Sequence, residues 1–401
     1  MKVDTMRKID FWLGVPLTFI LTGIVWFFKL FKRPHKVINK ILFIELSEMG
    51  STILVDPAMR KAKQHFNAEL FFLIFSKNKV SLDILKTVPS EHIFTLREHN
   101  LFMLIWDTLR YFFWCRKHKF SATVDLELFS RVTALLTGMS GAYYKVGFHR
   151  FHNEGLYRGN MLTHKVAYNT HMHIAKNFIA LINALIDNDQ QIPYSKTKID
   201  DKEIVLTQVA SSDDAKDIIH QKIQALDATY EPRKRPILLI NPNASELLPQ
   251  RRWMQEHYCQ LIKLVLEYHP DYRVLITGAP AEHQQAQQLV ESVAHPQCIN
   301  FAGQVKFHQL IDLYNISHAM VTNDSGPGHF SSVTPLKTFV IFGPETPALY
   351  GSLGNSTPIY AGLACSPCVS ASNHRKTPCR NNVCLQVITP DVVYQTIKKS
   401  L

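Results

Sequence analysis

Within seven residues, the stretch VTNDSGPGHFSS at 321–332 gathers Asn323, Asp324, Ser325, Gly326, Gly328 and His329 directly after a short apolar run. A glycine-bearing polar turn between a strand and a helix presents unpaired backbone N–H groups at the helix start, and such groups bind anions, phosphates above all. Other apolar runs of the same half end in comparable loops. ILLIN at 237–241 leads into PNASELLPQRRW, with Asn243, Ser245, Arg251 and Arg252, while RVLIT leads into GAPAEH, with Gly278 and Glu282. CINFAG leads to Gln304. An arginine reaching a helix-end anion site would complete a diphosphate pocket. An acidic side chain after a Rossmann-type strand suits a pair of ribose hydroxyls. Any one of these loops alone could be a tight structural turn; their order and spacing favour a nucleotide site.

Elements of matching type must hold them. From residue 37, short β-rich runs (VINKILFIEL, AELFFLIF, FSATVDL) alternate with helical patterns such as 52–64. After a polar stretch at 187–234 the alternation starts afresh, with helices expected at 253–268, 282–294 and 306–316 between strands. Strands alternating with helices of 10 to 15 residues imply right-handed βαβ units and parallel sheets. Two doubly wound α/β halves joined near 228–236 follow, with ligand sites at the carboxyl ends of the strands.

The chain has 401 residues, 46% hydrophobic and 19% charged, enough to build two or three globular cores. Its formal charge of +11 suggests an anionic partner, and a phosphorylated substrate or lipid head group fits better than nucleic acid, because no long Arg/Lys tract is present. The odd number of cysteines, seven, argues against a complete disulfide framework. Residues 11–28 run without a charge and are followed by Lys29, Lys32, Arg33, Lys36 and Lys40. Eighteen uncharged positions are at the lower limit of a bilayer span. A span with the body of the protein on the cytoplasmic side, a helix dipping into one leaflet and a helix packed on the protein itself all fit. The aromatic segment 99–114 could lie on the membrane beside it or be buried.

TNDSGPGHFSSVTPLKTFVIFGPETP resembles the C-terminal signature of glycosyltransferase family 9, the ADP-heptose:lipopolysaccharide heptosyltransferases. NPNASELLPQRRW is similar to the family's phosphate loop, with Arg251 at its basic position, GAPAEH to its ribose loop, and VDLELFSRVTALLTGMSGAYYKVGF to a segment of its N-terminal domain. The resemblance covers roughly residues 37–390. It implies a GT-B fold of two facing Rossmann-like domains with parallel sheets, preceded here by the apolar helix: 1–36 membrane-associated, 37–230 acceptor-binding, 231–401 nucleotide-sugar-binding. It also implies inverting transfer from a nucleotide sugar without a metal or other cofactor.

Inversion needs a carboxylate to deprotonate the attacking hydroxyl. The family's first loop carries an aspartate where this chain, in ELSEMGST, has Ser51. Glu48 is the candidate replacement, with Glu45 in the same turn and Asp125 and Glu127 as further candidates. Gly50, Ser51, His149, Arg150, Arg158 and His171 are candidates for contact with a phosphorylated acceptor; plain surface exposure would explain the basic ones equally. DND at 187–189 has the form of a metal-binding motif but follows a helix, as a solvated loop would. Cys365, Cys368, Cys379 and Cys384 have spacing that could hold structural zinc, with free or paired thiols as the alternative.

The resulting expectation is a transferase on the cytoplasmic face of a bacterial inner membrane. It would move heptose or a related sugar from a nucleotide sugar, ADP-heptose foremost, to a lipopolysaccharide-core or other lipid-linked acceptor at an anionic membrane surface. A nucleotide-sugar epimerase on the same fold, and a binding protein without transfer activity, are the alternatives.

Overall fold

The computed structural model describes residues 3–29, 36–46, 49–150, 156–187, 195–246, 248–370 and 376–401. They form two compact units, Met1–Val205 and Leu206–Leu401. In the first, strands β1 (Lys40–Ile44), β2 (Glu69–Phe75), β3 (Ile93–Leu96), β4 (Ala122–Asp125), β5 (Tyr144–Phe148) and β6 (His164–Val166) form a parallel sheet in the order β3-β2-β1-β4-β5-β6. In the second, β7 (Ile237–Asn241), β8 (Arg273–Ile276), β9 (Cys298–Asn300), β10 (Ala319–Asn323), β11 (Lys337–Phe342) and β12 (Ser356–Tyr360) repeat that order as β12-β11-β10-β7-β8-β9. Both are doubly wound Rossmann sheets. The chain reverses direction across the sheet between β1 and β4 in one and between β7 and β10 in the other, and those switch points open the crevices that bind ligands.

Helices cover both faces of such sheets, so the central strands read as continuous apolar runs rather than alternating ones. KILFI, ELFFLIF and ILLIN are of this kind, and β7 is buried at all its positions. Tyr258, Leu261, Ile262 and Val265, from helix Gln255–Tyr268, pack on one face of the second sheet.

The boundary between units falls earlier in the chain than the polar stretch at 228–236 suggests. Residues 206–230 belong to the second unit because helix Asp213–Leu226 turns Ile219, His220 and Ile223 inward beneath an acidic outer surface. Val209 N–H donates to Val333 O at 2.7 Å and Lys222 Nζ to Gln304 O at 2.7 Å, tying the segment down. Nor do the described residues of 1–36 stand apart: helices Val3–Trp12 and Gly14–Lys29 pack within the first unit, against helix Arg131–Met139.

Candidate active site

Asn323, the last residue of β10, organises the switch point of the second unit. Its buried Oδ1 accepts from Trp253 N–H at 3.0 Å and from Tyr258 Oη at 3.1 Å, and its Nδ2 donates to Pro242 O at 2.8 Å and Asn243 O at 3.4 Å. All four hydrogen-bonding positions of the amide are thereby used, and the loop after β7 is fastened to the loop after β10. Trp253 Nε1 donates to Ile388 O at 2.8 Å and Asn382 Nδ2 to Gln250 O at 3.1 Å, so the C-terminal segment holds the same loop from behind.

Arg251 lies in this loop with its guanidinium between two buried carboxylates. Nε is 3.4 Å from Asp324 Oδ2, and Nη2 donates to Glu345 Oε2. Two carboxylates thus face one arginine, and the candidate donor ligands Arg251 and Asp324 are paired with each other in this geometry. Glu345 was not among the expected site residues; its place in GPETP, just after β11, was the available signal. Arg252 donates to Ala244 O at 2.9 Å and pairs with the exposed Glu246. Ser245 stays exposed.

Ser325 starts the short helix Gly326–Ser331, with its Oγ donating to Asn323 O at 3.1 Å. A Cβ on Gly328 would come 2.7 Å from Ser352 Oγ, so glycine is what the close packing there permits. A Cβ on Gly326 would make only ordinary contact with the Phe330 ring, at 3.7 Å, and His329 is half-buried one turn on. After β8, Glu282 Oε2 accepts from Ala279 N–H at 2.6 Å, and a Cβ on Gly278 would meet Asn243 Nδ2 at 2.8 Å and Glu282 Oε2 at 2.9 Å. Asn243, Gly278 and Glu282 are therefore neighbours, as a shared ribose site requires.

At the switch point of the first unit, Glu45 follows β1 and is 4% exposed, and Ser51 Oγ donates to its Oε1. Glu48 lies outside the described residues, and Gly50 sits beside Ser51 in helix Met49–Leu54. Just after β4, the adjacent strand, Glu127 Oε1 accepts from Leu46 N–H at 2.7 Å, and Asp125 Oδ1, at the end of β4, accepts from Glu127 N–H at 3.2 Å. Asp125 Oδ2 also accepts from Arg158 Nη2 at 2.5 Å. Burial pushes the Asp125 carboxyl up, against the pull of Arg158.

Arg158 is 8% exposed and donates to Ser130 O at 2.8 Å and to Thr133 Oγ1 at 2.8 Å as well as to Asp125. Asp125, His149, Arg150, Arg158 and Lys165 nonetheless line one cavity of about 230 Å³. Burial, then the charges of Lys165, Arg150 and Arg158, push the imidazole of His149 down to about 4. The cavity is thus electropositive through its lysine and arginines, and His149 is neutral at pH 7. His171 is exposed on another segment and does not line it.

Among the described residues no group of three or more His, Cys, Asp or Glu is arranged to hold a metal ion. Cys365, Cys368, Cys379 and Cys384 form no disulfide among the described residues; Cys368 Sγ lies 3.3 Å from Thr377 Oγ1, and Cys379 Sγ donates to Asn381 Oδ1 at 3.4 Å. Of DND, only Asp187 is described, as the last residue of helix Ile174–Asp187.

Two units of Rossmann strand order, with polar loops gathered at the switch point of each, define an α/β protein of the two-domain type. The signature of glycosyltransferase family 9 (heptosyltransferase) matches residues 117–377, and the chain belongs to that family. It is 28% identical over 170 residues to lipooligosaccharide heptosyltransferase 2 of Campylobacter jejuni, covering 41% of this chain and 51% of the relative. It is 29% identical over 117 residues to lipopolysaccharide heptosyltransferase 2 of Salmonella typhimurium, covering 28% and 33%. The chain thus spans about half the length, or less, of these curated relatives. The fold is that of the ADP-heptose lipopolysaccharide heptosyltransferase II of Escherichia coli, with a TM-score of 0.68, 19% identity, and coverage of 90% of this chain and 98% of that one.

Proposed function

We propose that the protein is an inverting glycosyltransferase that moves a heptose from a nucleotide sugar to a lipid-linked acceptor of the lipopolysaccharide-core type. The observation that carries the reading is the Asn323-centred junction: in a member of family 9, it joins the loops of β7 and β10 at the switch point, where a dinucleotide-type fold receives its ligand. The relatives named above are heptosyltransferases, and ADP-heptose is the donor to test first.

In this reading the donor diphosphate meets the backbone N–H groups of Ser325, Gly326 and Gly328, and Glu282 takes the ribose hydroxyls. A carboxylate of the β1 turn removes the proton of the acceptor hydroxyl as its oxygen attacks the anomeric carbon. The bond from that carbon to the diphosphate oxygen breaks, and the nucleoside diphosphate leaves with the electron pair. Glu45, oriented by Ser51, is the base we favour; Glu48 is its neighbour in sequence. The electropositive cavity beside Asp125 suits a phosphorylated acceptor.

Incubating purified protein with labelled ADP-heptose, with and without a deacylated lipopolysaccharide-core acceptor, tests the proposal. Acceptor-dependent transfer supports it. Isomerised donor in the absence of acceptor would establish an epimerase, and donor binding without turnover would establish a non-catalytic binding protein.

A further inference from the structure

The described residues hold one helical stretch, Thr5–Phe28, long and apolar enough to cross a membrane. Its contacts with the rest of the first unit run along most of its length. Asp10 Oδ1 accepts from Arg131 N–H at 2.7 Å and from Val132 N–H at 3.1 Å, capping helix Arg131–Met139, while Asp10 Oδ2 pairs with Arg131 Nη1 at 3.0 Å. Gly14 lies against the Arg131 side chain, Leu21 against Gly138, and Thr22 Oγ1 accepts from Asn160 N–H at 2.8 Å. Residues 10, 14, 18, 21 and 22 share one helical face. From Asp10 to Thr22 the helix rises about 18 Å, and residues 23–29 add only about 10 Å, a third of a hydrocarbon core. A helix held to the globular body over that length does not stand upright in a bilayer.

Its outward face is also built for lipid rather than water. The inward face carries Gly14, Thr18 and Thr22, whose hydroxyls donate to the carbonyls of Gly14 and Thr18 at 2.7 Å each. The outward face carries Trp12 at 73% exposure, Phe19 at 71%, Ile20, Trp26 and Phe27. Small and hydroxylated residues inside with large apolar ones outside invert the pattern of a water-facing helix. A second helix, Leu101–His118, flanks the same helix Arg131–Met139, with Tyr111 Oη donating to Leu136 O at 3.0 Å. Its exposed face repeats the feature with Phe102, Ile105, Trp106, Leu109 and Phe113, followed by exposed Arg116 and Lys117.

We infer that these two helices form a monotopic platform that lies in the plane of an anionic membrane, apolar faces sunk to the headgroup–acyl boundary and basic side chains on lipid head groups. The occupant is a lipid surface because aromatic and aliphatic side chains are flanked by Arg110, Arg116 and Lys117, the composition an anionic interface takes. The platform also abuts the acceptor cavity. Gly159, which a Cβ would drive to 2.7 Å from Thr22 Oγ1, belongs with Asn160 and Met161 to the cavity lining. That last point rests on the transferase reading; the docking itself does not.

Variants of the full chain that keep only Trp12, Trp26 or Trp106 of these three tryptophans, the others changed to Phe, would be mixed with vesicles of phosphatidylcholine with and without phosphatidylglycerol. The phosphatidylcholine would be brominated either near the head group or near the acyl end. All three tryptophans should be quenched more by the shallow bromines, and binding should need phosphatidylglycerol and weaken with salt. Quenching of Trp26 chiefly by deep bromines, with Trp106 unaffected, would establish a span and overturn the inference. No quenching at any position would show that something other than lipid covers the face. Phe102→Glu with Trp106→Glu should lower vesicle partitioning ~tenfold or more, since it removes two aromatic side chains from the buried apolar face. Thermal stabilisation by ADP-heptose should persist in that variant, and it reads the transferase proposal separately: vesicle binding without it would sink the donor assignment and leave the platform standing.

Discussion

Asn323 Oδ1 accepts the N–H of Trp253, 70 residues away in sequence, and with the donations of its Nδ2 to Pro242 O and Asn243 O this hydrogen bond fixes the loop after β7 against the end of β10. Replacing Asn323 by Ala leaves the Trp253 N–H and the Tyr258 hydroxyl without their acceptor in a buried place. We expect a loss of about 2 kcal/mol or more in denaturant stability, accompanied by weaker donor binding in calorimetry. Asn323→Asp keeps the acceptor and loses the two donations to Pro242 O and Asn243 O, so it should bind donor poorly as well.

Arg251→Ala strands the carboxylates of Asp324 and Glu345. Breaking a buried pair from one side costs about 3–5 kcal/mol, and the chemical-denaturation midpoint should fall accordingly. Arg251→Ala combined with Glu345→Gln should recover part of the loss, because one of the stranded charges is gone. A phosphate-binding arginine that contributes nothing to the loop would instead lower donor affinity with stability unchanged.

For the reaction itself, Glu45→Gln should reduce kcat by ~100-fold or more, the lower range of what a positioned general base supplies. Donor Kd should stay close to that of the wild type. Ser51→Ala, which removes the donor to Glu45 while leaving the carboxylate, should cost less. If Glu45→Gln turns over normally and Glu48→Gln does not, the base is Glu48.

The His149 imidazole, held near 4 against an ordinary 6.5, gives a defined pH dependence. The unfolded chain takes up its proton first as pH falls, so the stabilisation is complete above 6.5 and is lost between 6.5 and about 4. Thermal melts across that window should show a downward slope toward acid. In His149→Gln that component of the slope should vanish. Binding of a phosphorylated acceptor places negative charge among Lys165, Arg150 and Arg158, and should raise the value toward neutrality.

Much of the framework was legible beforehand. Apolar runs such as KILFI, ILLIN and KTFVIF, each closed by a turn and followed by a helical pattern, specify buried parallel strands because burial on both sheet faces demands a continuous apolar sequence. The less apolar edge strands β3, β6 and β12 gave a weaker signal, since an edge position asks less of its side chains. Helix Asp213–Leu226 hid in a stretch that reads as a linker because only a narrow stripe of it is apolar.

By itself, the sequence determined two doubly wound halves, the loops at their strand ends and the kinship those loops display, because periodicity and turn chemistry are local properties of the chain. Only the tertiary structure decided how the charges are spent. Arg158 pairs with Asp125 across 33 residues, Arg251 with Glu345 across 94, and neither partner is marked by spacing. It also decided which face of the apolar N-terminal helix is turned to the protein. A run without charges has no sequence-encoded inside, and only the contacts of Asp10, Gly14 and Thr22 supply one.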